Sequence, residues 1–467
     1  MMLETEVVVV GAGPAGLSAA LQASLAGVTV TIVDEYARPG GQYFQQPPAA
    51  FRLLDRSAMG RDYQAGVELM ARVQQGKIEV LTDTLVWGAF EPTILEIYRG
   101  GQCQQIHAGR IVIATGAYDR PIAFPGWTLP GVITAGAAQT LLKNQWVVPG
   151  SRVLMAGTGP FQLPVAAHLV KAGATIVALL EASKAGTGWL THVPAMWKHL
   201  GKVREAQDYL GTLLKARVDM RSGWTVVEAR GDGQVEQAVI AQVDDEGRPV
   251  AGTEKLLEVD TICLGFGFIP SLQLPRLLGC SSAWDSDLAT WVTAHDSDQR
   301  TSVAEVFVAG ETTGIGGHDV AIGEGAVAGI KAAVDFGKLS VDEAGKRLSK
   351  ISGDLKNHRE FADYLNRTFA LKPGLYDLIR DDTLVCRCEE VTAGEIAAVA
   401  REWNGSLRTI KQLTRAGMGN CQGRVCGALV AQIAAKASGK TVQEVGLDTP
   451  RPPIKPIPLE ALAGMPA

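Results

Sequence analysis

The chain has 467 residues, a net charge of −5, 46% hydrophobic residues and 20% charged ones. That balance excludes a disordered chain, and with no basic run it also removes nucleic acid as a partner. No apolar stretch reaches the roughly 18 residues that cross a bilayer, while the length suggests about two to four domains and the 53 glycines suggest many tight turns.

The first segment, MMLETEVVVVGAG, lacks a basic stretch and a cleavage site and runs directly into a strand, so a cytoplasmic location is expected. Residues 5–10 are continuous and β-branched, which predicts a buried strand. Gly11, Gly13, Ala15 and Gly16 follow, then a helix pattern, then a second apolar run ending in Asp34 and Glu35. This is the βαβ dinucleotide fingerprint in its required context. Gly11 permits the tight turn, Gly13 lets a pyrophosphate approach backbone N–H groups, and Gly16 lets helix and strand pack closely. Asp34, with Glu35 as second choice, should accept hydrogen bonds from an adenosine ribose. The motif alone does not separate FAD from NAD.

Further along, Pro39-Gly40-Gly41-Gln42 reads as a turn. The run RIVIATGAY at 110–118 reads as a strand ending in Ala114, Thr115 and Gly116. A second fingerprint starts with the strand at 152–156 and continues through Gly157 and Gly159 to a strand at 175–180 that ends at Glu181. Gln162 stands where a third glycine would be. This predicts an inserted nucleotide unit at 119–270. Glu181 would repel a 2′-phosphate and favour NADH; a remnant that binds nothing, or a site for another adenine nucleotide, is an equal reading. The first domain then resumes over 271–340, where EVFVAGE at 305–311 supplies Gly310 and Glu311, and a Gly-rich turn carries His318. A lone histidine in such a turn is more often structural than chemical.

Residues 341–380 carry hydrophobic residues at helical spacing and predict a helical connector closed by a turn at Lys372-Pro373-Gly374. Two tight cysteine pairs follow. Cys386 and Cys388 form C-x-C, and Cys421 and Cys426 form C-x4-C. All-sulfur ligation suits an iron–sulfur cluster or zinc, and a zinc ribbon would more usually show two C-x-x-C knuckles. Between the pairs, Thr392 and Glu395 predict a capping box, and 425–436 predicts a helix. The remaining cysteines, Cys103, Cys263 and Cys280, are scattered; the odd total of seven argues against a disulfide framework. No C-x-x-C pair occurs in the nucleotide domains, which excludes thioredoxin-type dithiol chemistry. Pro450, Pro452, Pro453, Pro456 and Pro458 predict an extended surface tail over 441–467.

The segments CRCEEVT and CQGRVC resemble the [2Fe-2S] domain of bacterioferritin-associated ferredoxins, here placed at 381–440. PGGQ, ATG and VAGE resemble the nucleotide-contacting segments of two-domain flavoproteins such as pyridine nucleotide–disulfide reductases. The resemblance implies FAD and places Gly41, Gln42, Ala114, Thr115, Gly116, Gly310 and Glu311 beside it. It also implies an α/β fold with two Rossmann-like domains, the flavin domain being formed by 1–118 and 271–340, plus a small helical cluster domain. The full order, with ATGAYDRP, PGWTLPGVITAGAAQ and RPPIKPIPLEALA, is similar to the α subunits of multicomponent amine-oxidising dehydrogenases. Those include opine oxidases, D-hydroxyproline dehydrogenase and hydrogen cyanide synthase. The resemblance implies a catalytic β subunit of the D-amino-acid-oxidase type with its own FAD. It further implies an interfacial FMN, a respiratory electron acceptor, a small third subunit and a peripheral place at the inner membrane face through partners. No substrate-catalytic constellation is evident in the chain itself. The competing readings are a self-contained NADH-dependent flavin/[2Fe-2S] reductase and a non-enzymatic cluster carrier.

Overall fold

The computed structural model describes residues 2–48, 51, 61–184 and 200–464. Residues 1, 49–50, 52–60, 185–199 and 465–467 lie outside the described residues; they belong to the expected flavin domain, inserted domain and tail. The first sheet grows from the strand Met2–Val10, whose C-terminal four residues are buried valines. It pairs in parallel with Val30–Val33 on one side and Gln102–Ile113 on the other. The second of these is 12 residues long and serves two neighbours on its far edge. Its first half pairs antiparallel with Ile94–Arg99, and Ile111–Ile113 pairs in parallel with Val306–Val308. The late segment of the chain thus returns to the first sheet.

The chain leaves for the inserted domain and comes back through one two-stranded ribbon, Ala117–Asp119 against Phe268–Pro270. Gly116, at φ +69°, starts it, and its carbonyl accepts the Ser271 N–H. The inserted domain has a parallel five-stranded sheet in the order Asp219–Ser222, Thr175–Glu181, Arg152–Gly157, Thr261–Gly265, Val132–Thr134. An antiparallel three-stranded sheet, Trp224–Arg230 to Lys255–Glu258, covers it.

Helix Gly317–Asp335 follows the Gly-rich turn. Its Gly325 and Gly329 are mid-helix contacts with the first helix, Pro14–Leu25. A Cβ on Gly325 would stand 2.0 Å from the Ala15 carbonyl oxygen, and one on Gly329 would stand 2.1 Å from that of Ala19. The connector is a single helix, Val341–Thr368, opened by a Ser340–Glu343 capping box and followed by a 3-10 turn at Pro373–Leu378.

The cysteine domain contains a short hairpin, Leu384–Cys386 with Val391–Thr392, and helices Ala393–Glu402, Leu407–Thr414 and Gly427–Ser438. The Thr392–Glu395 capping box forms as expected, and Cys426 caps the last helix. One apolar core joins this domain to the inserted one: Val385, Ile396 and Leu429 are packed in the same cluster as Phe124, Trp127 and Val226. The tail departs from expectation. Ile454 is 5% exposed, and its N–H donates to the Trp87 carbonyl, so part of the tail is buried rather than lying on the surface.

Gly325→Ala would force the two helices apart and should cost about 1–3 kcal/mol. Gly345→Ala, in the connector helix with nothing within 4 Å of its Cβ position, should be neutral or slightly stabilising. Denaturant midpoints of the two variants check this; equal midpoints would contradict the close-packing account.

Candidate functional site

A cavity of about 1070 Å³ runs between the flavin-type domain and the inserted domain. That is at the upper end of the usual range for small-molecule sites and suits an extended dinucleotide. Gly11, Gly13, Ala15, Asp34, Glu35, Gly41, Gln42, Ala114, Thr115, Gly116, Gly310 and Glu311 all line it. Gly16 does not; it lies behind the loop, where a Cβ would stand 1.8 Å from the Gly11 carbonyl oxygen. Gly13 and Gly41 face each other across the wall: a Cβ on Gly41 would meet the Gly13 Cα at 2.7 Å. A side chain at Gly41 would strike the Gly13 backbone, so only a bare backbone fits there, which keeps this wall open to a phosphate.

Asp34 is buried at the end of the second strand and accepts the N–H groups of Ala12 at 2.5 Å and Tyr36 at 2.8 Å. Burial nonetheless raises its pKa. Glu35 pairs with Lys455 of the tail, so its carboxylate is engaged by the chain itself. Burial lowers Lys455 to about 8. Gln42 is held on three sides: its amide nitrogen donates to the Tyr36 hydroxyl at 2.9 Å, and its amide oxygen accepts from Gln45 at 2.8 Å and Thr140 at 3.3 Å. Thr140 belongs to the helix Ala135–Gln145 of the inserted domain, so Gln42 ties the two domains at the cavity wall.

At the other end, Glu311 faces the cavity and accepts the Gly317 N–H at 2.7 Å. Enclosure by protein raises it to about 7, and the nearby Glu324 carboxylate adds to the rise. Glu324 is itself buried and satisfied by the Gly310 N–H, Thr313 and Arg359. His318, at the start of the Gly317–Asp335 helix, stacks on Tyr43 with centroids 4.0 Å apart and sits 3.1 Å from Asp319. Its packing and its ion partner account for it as a wall residue.

The second fingerprint folds as a strand–turn–helix with Gly159 at φ +107°. Thr158, Gly159, Pro160 and Phe161 border the same cavity, whereas Gly157 and Glu181 do not line it. Glu181 is committed to its own loop. It accepts from Thr158 Oγ1 at 2.8 Å, Gly159 N–H at 2.9 Å and Ser183 N–H at 2.8 Å, and burial raises its pKa. Gln162 is 1% exposed and fills the space against Gly265, making no hydrogen bond to protein. The room that a third glycine would save is supplied by Gly265 on the facing strand.

The four C-terminal cysteines are free thiols brought together from two loops. Side-chain interactions link Cys388 to Cys421, Cys421 to Cys426 and Cys426 to Cys386. Hydrogen bonding with Cys426 holds Cys386 down to about 6 and Cys421 down to about 5, while the same bonds push Cys426 up. Backbone N–H groups of Gly417 and Glu389 add to the lowering at Cys386, and those of Val425 and Gly423 at Cys421. Gly419 is required for the loops to meet: a Cβ there would stand 2.2 Å from that of Cys388. Among the described residues, no group of three or more His, Cys, Asp or Glu side chains is arranged to hold a metal ion. Each of the four thiols thus has at least two of the others as interacting neighbours, Cys388 also feeling the charge of Cys386.

Each cysteine pair encloses an arginine that docks outside the cysteine domain, on the inserted domain or the ribbon that leads to it. Arg387 lies 4.8 Å over the Trp127 ring and donates to the Trp127 carbonyl, and the Trp127 indole N–H donates to the Leu384 carbonyl at 2.6 Å. Arg424 reaches Tyr118 and the tail. Neither contact, nor the Lys455–Glu35 pair, was foreseen from the sequence; the only available signal was an arginine inside each cysteine pair.

The pyridine nucleotide-disulphide oxidoreductase family matches residues 5–325 of the chain. The chain belongs to that family. It is therefore an oxidoreductase of the two-dinucleotide-domain type. The sarcosine oxidase A3 domain matches residues 381–465, taking in the cysteine domain and the tail together. An opine oxidase subunit from Rhizobium meliloti is 31% identical over 99% of this chain and 88% of its own length. Hydrogen cyanide synthase subunit HcnB from Pseudomonas aeruginosa is 30% identical over 98% of each chain. The alpha chain of sarcosine oxidase from Corynebacterium is 27% identical over 99% of this chain but only 45% of its own. Among solved structures, L-proline dehydrogenase from P. horikoshii has the same fold, with a TM-score of 0.69 at 20% identity over 99% of this chain and 80% of that one. T. acidophilum thioredoxin reductase matches at a TM-score of 0.53 and 22% identity over 71% of this chain and 99% of its own. No described helix is long and apolar enough to cross a membrane.

Glu311 titrates near 7 in the folded, ligand-free protein and near 4.3 unfolded. Its neutral form is thus favoured on folding. The stability it contributes is present below about pH 4.3 and is lost as pH rises through 7. Glu311→Gln should flatten this loss, gaining on the wild type between pH 5 and 8 in denaturant melts of flavin-free protein; parallel curves would remove the assignment.

Proposed function

We propose that this chain is the electron-transferring FAD/[2Fe-2S] subunit of a hetero-oligomeric dehydrogenase or oxidase that acts on the C–N bond of an amino-acid-derived amine. Opine, hydroxyproline and glycine types are the substrate class. The observation that carries the reading is that Arg424, set between two of the four free thiols, lines the same cavity as the Gly11–Gly13, Gly41–Gln42, Ala114–Gly116 and Gly310–Glu311 loops. Relatives matched along nearly the whole chain are named as subunits of opine oxidase and hydrogen cyanide synthase, which supports both the partner requirement and the substrate class.

The residues suit FAD. Gly13 and Gly41 offer bare backbone to the pyrophosphate, Asp34 stands at the ribose end, and Glu311 stands at the flavin end. The N-terminus of the Gly317–Asp335 helix lines the cavity and supplies partial positive charge there. The thiols suit a two-iron core, which takes two sulfurs per iron, better than a single tetrahedral ion. When bound, FAD accepts two electrons at once and a [2Fe-2S] centre passes them singly. Oxidation of the amine belongs in this reading to a β subunit of the D-amino-acid-oxidase type with its own FAD. An interfacial FMN, a respiratory acceptor, a small third subunit and a cytoplasmic location, peripheral to the inner membrane through partners, complete it.

A second reading rests on one observation: Thr158, Gly159, Pro160 and Phe161 border the same cavity as the flavin loop. A nicotinamide nucleotide held there would point toward the flavin, and the chain would be an NADH-dependent reductase. Against it, Glu181 is already taken up by its own loop.

Anaerobic mixing of the purified chain with NADH should leave the flavin band unbleached, while dithionite bleaches it. Rapid bleaching by NADH would put the reductase reading first. Cys421→Ser should keep the flavin spectrum and abolish the cluster's EPR signal; a retained signal would refute the ligand assignment.

A further inference from the structure

Arg424 sits between Cys421 and Cys426, yet it also lines the flavin-type cavity. Its guanidinium spreads over three segments. One terminal nitrogen returns to the Cys421 carbonyl at 3.2 Å. Nε donates to the Tyr118 hydroxyl at 2.8 Å, and the group stands 5.6 Å from the centre of that ring. The other terminal nitrogen donates to the Ile454 carbonyl at 2.8 Å. Tyr118, Ile454 and the next residue, Lys455, line the cavity as well. Tyr118 lies in the ribbon that joins the two nucleotide domains, and it follows the Ala114-Thr115-Gly116 turn expected beside the flavin.

We propose that Arg424 is the positioning residue that couples the cysteine centre to the flavin cavity, with Tyr118 as its counterpart on the flavin side. This rests on the FAD/[2Fe-2S] reading above. The planar fork is what the geometry uses, because three acceptors in different directions cannot be served by a lysine's single ammonium head held at one point. The arginine fixes the cysteine loop at a set distance from the cavity wall and places a permanent positive charge between that loop and Tyr118. With both groups bound, two successive one-electron transfers would return the reduced flavin to its oxidised form, its proton going to water, and a one-electron respiratory acceptor would take each electron on from the cluster.

The test compares the full-length chain, purified without oxygen, with Arg424→Gln, Arg424→Lys and Tyr118→Phe. Flavin and cluster absorption report loading, redox titration reports the cluster potential, and flash photoreduction reports flavin–cluster equilibration. Arg424→Gln should keep both absorption signatures, slow equilibration about 10–100-fold and lower the cluster potential through loss of the nearby positive charge. Arg424→Lys should restore the potential but not the rate. Tyr118→Phe should slow equilibration and leave the potential in place. A loaded Arg424→Gln protein that equilibrates at the wild-type rate overturns the proposal; if that variant does not fold, an unchanged rate in Tyr118→Phe does so. A wild-type chain that carries no cluster signal overturns the underlying reading, and the coupling with it.

Discussion

The contact on which the architecture depends is carbonyl oxygen against glycine, along the line where helix Gly317–Asp335 lies on helix Pro14–Leu25. The Ala15 and Ala19 carbonyls occupy the space that side chains at Gly325 and Gly329 would fill. With nothing between the backbones, the helices make continuous dispersion contact over their length. That closeness anchors the late segment of the chain on the early one. It sets Gly310 against Ala15, where a Cβ would stand 2.9 Å from that side chain, and so delivers Glu311 to the far end of the cavity from Asp34.

Three buried acids near the cavity share one device. Asp34, Glu181 and Glu324 are all buried, and each accepts backbone N–H groups from a glycine-containing loop or its neighbour. The bonds offset part of the cost of burial and set the loop's shape. The two nucleotide loops differ in what is left over. Asp34 still faces the cavity, while Glu181 turns wholly into its own loop. The same strand–turn–helix device therefore yields one site aligned with the cavity and one whose acid serves the fold.

The cysteine domain is not a module hung on a linker. Its core is continuous with that of the inserted domain, and its two cysteine loops are pinned by Arg387 on Trp127 and Arg424 on Tyr118. The tail closes the arrangement, running from Arg424 past Trp87 to Glu35. Sequence segments that look like independent motifs, PGWTLPGV and RPPIKPIP, both contribute to that docking, through Trp127 on Arg387 and Ile454 on Arg424.

What was legible in the sequence is what depends on near neighbours. The strand–Gly11–helix–Asp34 unit, the second strand–turn–helix at Gly157 and Gly159, the Thr392–Glu395 capping box and the two tight cysteine pairs rest on periodicity, turn preference or spacing along the chain. Those are written locally. The tertiary structure alone decided the rest. The Lys455–Glu35 and Arg424–Tyr118 contacts join positions 420 and 306 residues apart. No local propensity encodes such pairings. They arise when burial of the apolar cores brings distant segments together and each polar group left at the seam must find a partner there.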